Sequence, residues 1–169
     1  QGIENTNYLL KSKKKKYILT IFEKRVSQKD IPFFMKLMDN LNNSKINCPK
    51  PLKTKNNKYL IKLKNKTACI VSFLEGKDKK NLKTNDCYAI GKSVARMHVV
   101  TKKMKLYRKN SMGIKNLKSL LESIKFKSKK FSNLKIFLKN NLEDINKNWP
   151  KQLPKGIIHG DLFIDNIFF

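Results

Sequence analysis

A chain of 169 residues is long enough for one ordinary domain with a real core, or for two small lobes sharing one. It carries 39 Lys and Arg against 12 Asp and Glu, a formal charge of +27, and 40% of its residues are hydrophobic. No window approaches the apolar length of a membrane span, and the start lacks the charged, apolar and small-residue order of a signal peptide, so neither a membrane protein nor an exported one is expected.

Charge alone would suggest a non-enzymatic protein that binds RNA or an anionic surface. Its distribution argues against that reading. Lysines occupy nearly every surface-like segment, from Lys13 to Lys16 through Lys77 to Lys129 and Lys130, with Asn and Ile equally abundant between them. Uniform Lys, Asn and Ile enrichment is what AT-rich coding gives, and no aromatic RNA-binding signature accompanies it. A specific nucleic-acid partner is therefore not expected. Cys48, Cys69 and Cys87 form an odd set without metal-ligand spacing and read as reduced, partly buried thiols of a cytoplasmic protein. The chain opens on Gln1 and stops inside the apolar run Ile167-Phe168-Phe169, so both ends are expected to be cuts in a longer protein.

In chain order, Tyr8-Leu9-Leu10, a Lys-rich turn over Lys13 to Lys16 and then Tyr17 to Phe22 read as a β-hairpin, because aromatic and β-branched residues dominate both arms. Asp30 is a reasonable N-cap, Pro32 falls in the first turn, and Phe33, Phe34, Leu37, Met38 and Leu41 follow at helical spacing, ending near Asn42-Asn43. Pro49 and Pro51 break the chain. Tyr59 to Leu63 and Ala68 to Leu74 read as two further strands, closed by Glu75-Gly76. From Thr84 the character turns helical, since Tyr88, Ile90, Gly91, Val94, Ala95 and His98 recur near 3.6 residues. Further helical patterns run over 114–124 and 134–145, and Trp149-Pro150 ends the last. Strands with one helix, followed by mostly helices, make an α+β protein of two lobes: an antiparallel sheet lobe over residues 1–75 and the start of a helical lobe over 76–169.

Chemistry concentrates at the end, where Gly156-Ile157-Ile158 reads as a short strand leading into His159-Gly160-Asp161-Leu162-Phe163-Ile164-Asp165-Asn166. This is the kinase catalytic-loop pattern, His-x-Asp-Leu-x-x-x-Asn, with an apolar strand expected after it. Phosphoryl transfer needs an oriented hydroxyl and neutralised phosphate charge. Asp161 would accept or orient the acceptor's proton, and Asn166 would offer a neutral oxygen to a Mg²⁺ bridging the phosphates of ATP. His159 opens the motif and is taken with Asp161 as catalytic. The alternative is that His159 and Asp161 merely satisfy each other in a tight turn.

His-Gly-Asp, with glycine in the middle, resembles the aminoglycoside and choline phosphotransferase group of protein-kinase-like folds, and within it the bacterial homoserine kinases. The segments carrying the likeness are Gly2-Ile3-Glu4-Asn5-Thr6-Asn7-Tyr8, Tyr17 to Glu23, Ile31-Pro32-Phe33-Phe34, Ile70 to Gly76 and Leu153 to Phe163, collinear along almost the whole chain. The resemblance implies an incomplete bilobal kinase-like fold and phosphorylation of a small-molecule hydroxyl by ATP and Mg²⁺. L-homoserine is the expected acceptor; choline, a sugar or an aminoglycoside is the alternative. It implies that Gly2 to Tyr8 form a turn over the phosphates, with Asn5 and Thr6 donating hydrogen bonds, and that Ser72, Phe73 and Leu74 form a hinge whose backbone meets adenine. Kinases carry a phosphate-pairing Lys or Arg in the next strand, and the matching position here is Thr20. Lys24, two residues or about 6.6 Å beyond Phe22 on Thr20's face, or Arg25, is the expected substitute. His98 resembles a Leu-His position behind the catalytic loop, read as a core histidine. Arg108 and Asn110 resemble an element that would meet the acceptor's carboxylate or amine. A second metal-binding aspartate would lie past Phe169, so residues 1–169 alone are expected to be inactive.

Overall fold

The structure is a computed structural model that describes residues 5–23, 27–125 and 129–169, without the side chains of residues 129, 130 and 132. Two compact units form: one comprises Gln1–Tyr107 with Gly156–Phe169, the other Arg108–Lys155.

In the first unit, β1 (Asn5–Lys11) and β2 (Lys16–Phe22) form the expected hairpin, paired from Asn5 opposite Phe22 to Lys11 opposite Lys16. The turn occupies Ser12 to Lys15, closed by the Ser12 N–H to the Lys15 carbonyl at 2.9 Å, and Lys16 already belongs to the strand. Helix α1 (Ile31–Asn43) follows, then β3 (Leu60–Leu63) and β4 (Lys66–Ser72). The sheet is antiparallel with order β1-β2-β4-β3, so the two central strands meet through Ile18 opposite Val71 and Thr20 opposite Cys69. Successive side chains of a strand alternate between faces. Phe22, Cys69 and Val71 therefore share one face, and α1 closes it with Ile31 and Met35 to make the core, with Ile18 and Met38 packed at its edge.

Helix α1 starts where Asp30 and Pro32 place it, although Asp30 makes no side-chain cap bond to the backbone. Its buried residues are Ile31, Met35 and Leu41, whereas Phe33 and Phe34 are only half-buried and stack edge-to-face at 5.6 Å. The Tyr59 hydroxyl donates to the Asp39 carboxylate at 2.7 Å, tying the entry to β3 onto α1. Burial, reinforced by that carboxylate, pushes the Tyr59 hydroxyl up to about 12. Cys69 is fully buried and its thiol is raised to about 11 by burial, while Cys87 is exposed, contrary to its expected partial burial.

Helix α2 (Thr84–Lys102) begins where the Asp86 carboxylate accepts the Lys83 N–H at 3.0 Å and the Lys79 ammonium at 2.6 Å. Those two bonds, the Lys79 one first, hold the Asp86 carboxyl below its ordinary range. Periodicity placed this helix correctly but misassigned its inner face. Tyr88 is 71% exposed and His98 is exposed rather than in a core, because the half-buried line runs through Ile90, Val94, Met97 and Val100, which leaves Tyr88 two positions and His98 one position off it. In the second unit, α3 (Ile114–Ser123) and α4 (Lys129–Asn148) pack together with Leu121 buried. No helix among the described residues is long and apolar enough to cross a membrane.

Ile31 is fully buried at the centre of the α1 and sheet contact. Ile31→Ala is expected to lower unfolding stability by about 2–5 kcal/mol, against about 0.5 kcal/mol or less for the exposed Lys36→Ala. Urea unfolding followed by circular dichroism measures both, and equal midpoints would mean that α1 does not form the core.

Candidate active site

Residues 156–158 do not form the expected strand, and neither do 167–169. A strand needs a ladder partner, and no backbone pairing of Gly156, Ile157 or Ile158 is present among the described residues. The loop is instead shaped locally. Gly160 sits at φ +81°, a left-handed conformation that glycine adopts without Cβ strain, and the chain then turns through a 3₁₀ segment at Ile164–Asn166, closed by the Asn166 N–H to the Phe163 carbonyl at 3.0 Å.

That turn folds Asn166 back onto Asp161. Its amide nitrogen donates to the Asp161 backbone carbonyl at 2.9 Å and to the Asp161 carboxylate at 3.0 Å. Because the backbone carbonyl can only accept, the amide's NH₂ must face it, which leaves Asn166 Oδ1 as the group's remaining ligand atom. The Asp161 carboxylate is thus held by Asn166, and no bond joins it to His159 among the described residues. Both side chains are exposed.

A second contact docks this loop. A Cβ built on Gly76 would meet Phe168 Cβ at 2.9 Å and the Phe169 carbonyl at 3.3 Å, so only glycine permits the approach. Beside it Lys77 and Phe169 exchange both backbone hydrogen bonds, at 2.9 and 3.0 Å, and the Lys79 ammonium lies 4.4 Å from the centre of the Phe169 ring. The residues that follow β4 thereby hold the residues that follow Asn166. The sequence reading took Gly76 only as a joint; the packing requirement has no local signal beyond the glycine itself.

On the sheet, Ser72 ends β4, and Phe73 and Leu74 leave it. The Ser72 and Phe73 amides are engaged by the Lys50 and Lys16 carbonyls at 2.8 and 3.3 Å, so Leu74 carries the hinge N–H without a backbone partner among the described residues. Lys16 also pairs with Glu75 at 2.9 Å and lies over the Phe73 ring at 5.1 Å. Gly2, Lys24 and Arg25 lie outside the described residues. Asn5 to Tyr8 belong to β1 and not to a turn, and strand alternation separates the two expected donors. Asn5 faces α1's side of the sheet, opposite Phe22, and its buried Oδ1 has no hydrogen-bond partner among the described residues. Thr6 faces the other side, where its hydroxyl donates to Glu23 at 3.1 Å and Lys66 reaches the same carboxylate at 2.7 Å. Those bonds, Lys66 first, hold the Glu23 carboxyl below its ordinary range. Asn7, which the sequence reading passed over, shares Asn5's face and accepts the Thr20 hydroxyl at 2.8 Å.

In the second unit, the Asn110 side chain accepts the Met112 N–H at 2.9 Å, and its carbonyl accepts from Asn116 at 3.3 Å, a turn that leads into α3. Arg108 is half-buried in the same segment. No group of three His, Cys, Asp or Glu among the described residues could hold a metal by itself. The oriented Asn166 Oδ1 beside the Asp161 carboxylate nevertheless fits Mg²⁺, which takes one or two protein oxygens and completes its octahedron with water and phosphate.

Gly76→Ala is expected to destabilise the protein by about 1–3 kcal/mol, since Phe168 Cβ is too close to its own backbone to swing aside. Thermal unfolding, together with hydrogen exchange at the Lys77 and Phe169 amides, tests the contact. Unchanged protection at both amides would dismiss it.

Comparison with known proteins identifies the family. The family model described as phosphotransferase enzyme family matches residues 1–169. Homoserine kinases of Rhodopseudomonas palustris (strain BisA53) and Paramagnetospirillum magneticum (strain ATCC 700264 / AMB-1) are 36% and 38% identical over 170 residues, covering 100% of this chain and 52% of theirs. The chain thus spans about half the length of the curated relatives it matches. A crystal structure of spectinomycin phosphotransferase in complex with ADP and spectinomycin superposes with a TM-score of 0.57 at 16% identity, covering 99% of this chain and 57% of that one, a likeness of kinase-like fold. Matched by the family model from end to end, the chain belongs to the phosphotransferase enzyme family.

Proposed function

We propose that the full-length protein transfers the γ-phosphoryl group of ATP to the side-chain hydroxyl of L-homoserine, forming O-phospho-L-homoserine and ADP on the route to threonine in the cytoplasm. The observation that carries this reading is identity of 36–38% with homoserine kinases across the whole of this chain. Residues 1–75 would form the nucleotide lobe and 76–169 the start of the helical lobe. Ser72, Phe73 and Leu74 would meet adenine, with the Leu74 N–H as the available donor. Asn5 would face the nucleotide on α1's side of the sheet. Gly2, Thr6 and Lys24 remain proposed contributors to the phosphate end, Thr6 through its bond to Glu23.

At the reacting end, the Asp161 carboxylate would take the acceptor's hydroxyl proton as the oxygen bonds to phosphorus, and Asn166 would hold Mg²⁺ through Oδ1. Mg²⁺ contributes charge neutralisation to the phosphates when bound. The Asn166 amide fixes the Asp161 carboxylate in place, and His159 would support the loop that carries it. Arg108, whose planar fork suits a carboxylate, and Asn110 are the proposed contacts to the amino-acid part of the acceptor. Neither a specific nucleic acid nor a membrane is a partner in this reading.

The full-length protein is expected to release ADP with ATP, Mg²⁺ and L-homoserine, and far less with choline, a sugar or kanamycin in a coupled assay. Highest kcat/KM on choline would overturn the acceptor and leave the kinase chemistry standing. In the same protein, Asp161→Asn should cut kcat by about 10² to 10⁴ with ATP affinity roughly intact, because it removes a proton acceptor. Asn166→Ala should also raise the Mg²⁺ concentration needed for half-maximal rate, because it removes a ligand. A folded, fully active Asp161→Asn variant would refute the catalytic loop.

A further inference from the structure

The first two strands carry an ordered series of side chains on the face they share with α1. Beginning beside the hinge, where Tyr17 lies opposite Ser72, that face presents Ile18 opposite Leu9, then Thr20 opposite Asn7, then Phe22 opposite Asn5. Leu9 is 47% exposed, Asn7 is exposed, and Asn5 buries an oxygen without a hydrogen-bond partner among the described residues. An apolar pair thus stands nearest the hinge, with a polar pair one strand step of about 6.6 Å beyond it and an unpartnered amide oxygen one step further.

We propose that Asn7, oriented by Thr20, binds the nucleotide's phosphates; the inference rests on the kinase reading above. The Thr20 hydroxyl donates to Asn7 Oδ1 at 2.8 Å. Asn7's NH₂ then keeps its donors for a ligand, and a phosphate oxygen is an acceptor that requires them. The hydroxyl of Thr6 is committed to Glu23 on the opposite face, so on this strand Asn7 is the exposed donor on the face where Asn5 is left unsatisfied. The order along the strand, apolar and then polar, matches a nucleotide lying with its base toward the hinge and its phosphates away from it.

Asn7→Asp isolates the claim, because the carboxylate still accepts from Thr20 but loses both donors and adds a negative charge. In the full-length protein, binding of adenosine, ADP and ATP is measured by isothermal titration, with unliganded melting as the check on folding. ADP and ATP should weaken about 10- to 100-fold, the range for hydrogen bonds to charged groups, while adenosine changes less than about twofold. Thr20→Val keeps the shape and removes only the orienting hydroxyl, and should weaken ADP by a smaller factor of about three, again sparing adenosine. ADP and ATP bound equally well by Asn7→Asp and wild type would overturn the inference, and so would a parallel loss of adenosine. A wild type that binds no adenine nucleotide would overturn the kinase reading itself and this inference with it.

Discussion

The close approach of Gly76 to Phe168 is the contact on which the rest of the candidate site depends. Residues 159–166 are exposed and their fold is local, so nothing within them fixes where Asp161 stands relative to the sheet. Fixation comes from the chain immediately after, where Phe169 is paired by two backbone bonds to Lys77, three residues past the end of the hinge. A methyl group on residue 76 would stand 2.9 Å from Phe168 Cβ and force that strand-like pairing apart. One missing Cβ therefore couples the segment proposed to meet adenine to the segment proposed to meet the reacting hydroxyl, within a single compact unit.

The sheet contributes the complementary half of the arrangement, and the α1 core decides which of its faces matters. Ile31 and Met35 pack against Phe22, Cys69 and Val71, and strand alternation then assigns Asn5, Asn7, Ile18 and Thr20 to the same side. Buried apolar packing on the inner strands holds them in register. On the edge strand β1, in the same rows, Leu9 and Asn7 remain exposed. Register is strongly specified here because a slip of one residue would turn Phe22, Cys69 and Val71 out to solvent.

Much of this was legible in the amino-acid sequence, and the failures have physical causes. The hairpin, α1, both later strands and the helical stretch from Thr84 follow from periodicity and punctuation by Asn, Pro and Gly. That Asp161 and Asn166 share one short loop was readable from their spacing, whereas the bond from the Asn166 amide to the Asp161 carboxylate emerges only from the 3₁₀ turn between them. The placement of Asn7 was not readable, since Asn5, Thr6 and Asn7 look like one polar turn until strand pairing shows that the middle one faces away. His98 was misplaced for a related reason: an apolar stripe identifies a helix, but residues one position off the stripe are assigned to core or solvent only by what packs there. The strand expected at Gly156 to Ile158 failed because strand propensity describes a segment, whereas strand formation requires a partner.

Charge supplies the last connection between composition and site. A protein of +27 surrounds itself with a positive potential that raises the local concentration of anions without any particular lysine being aimed at them. What such a field cannot provide is orientation, because it is diffuse and is screened over about 8 Å at physiological ionic strength. Orientation requires short, directed donors whose own positions are held by neighbours, as the Thr20 hydroxyl holds Asn7 and the Asp161 carbonyl holds Asn166. With attraction spread over the whole surface, the residues at the site are left with alignment as their task, and neutral side chains on rigid backbone are well suited to it.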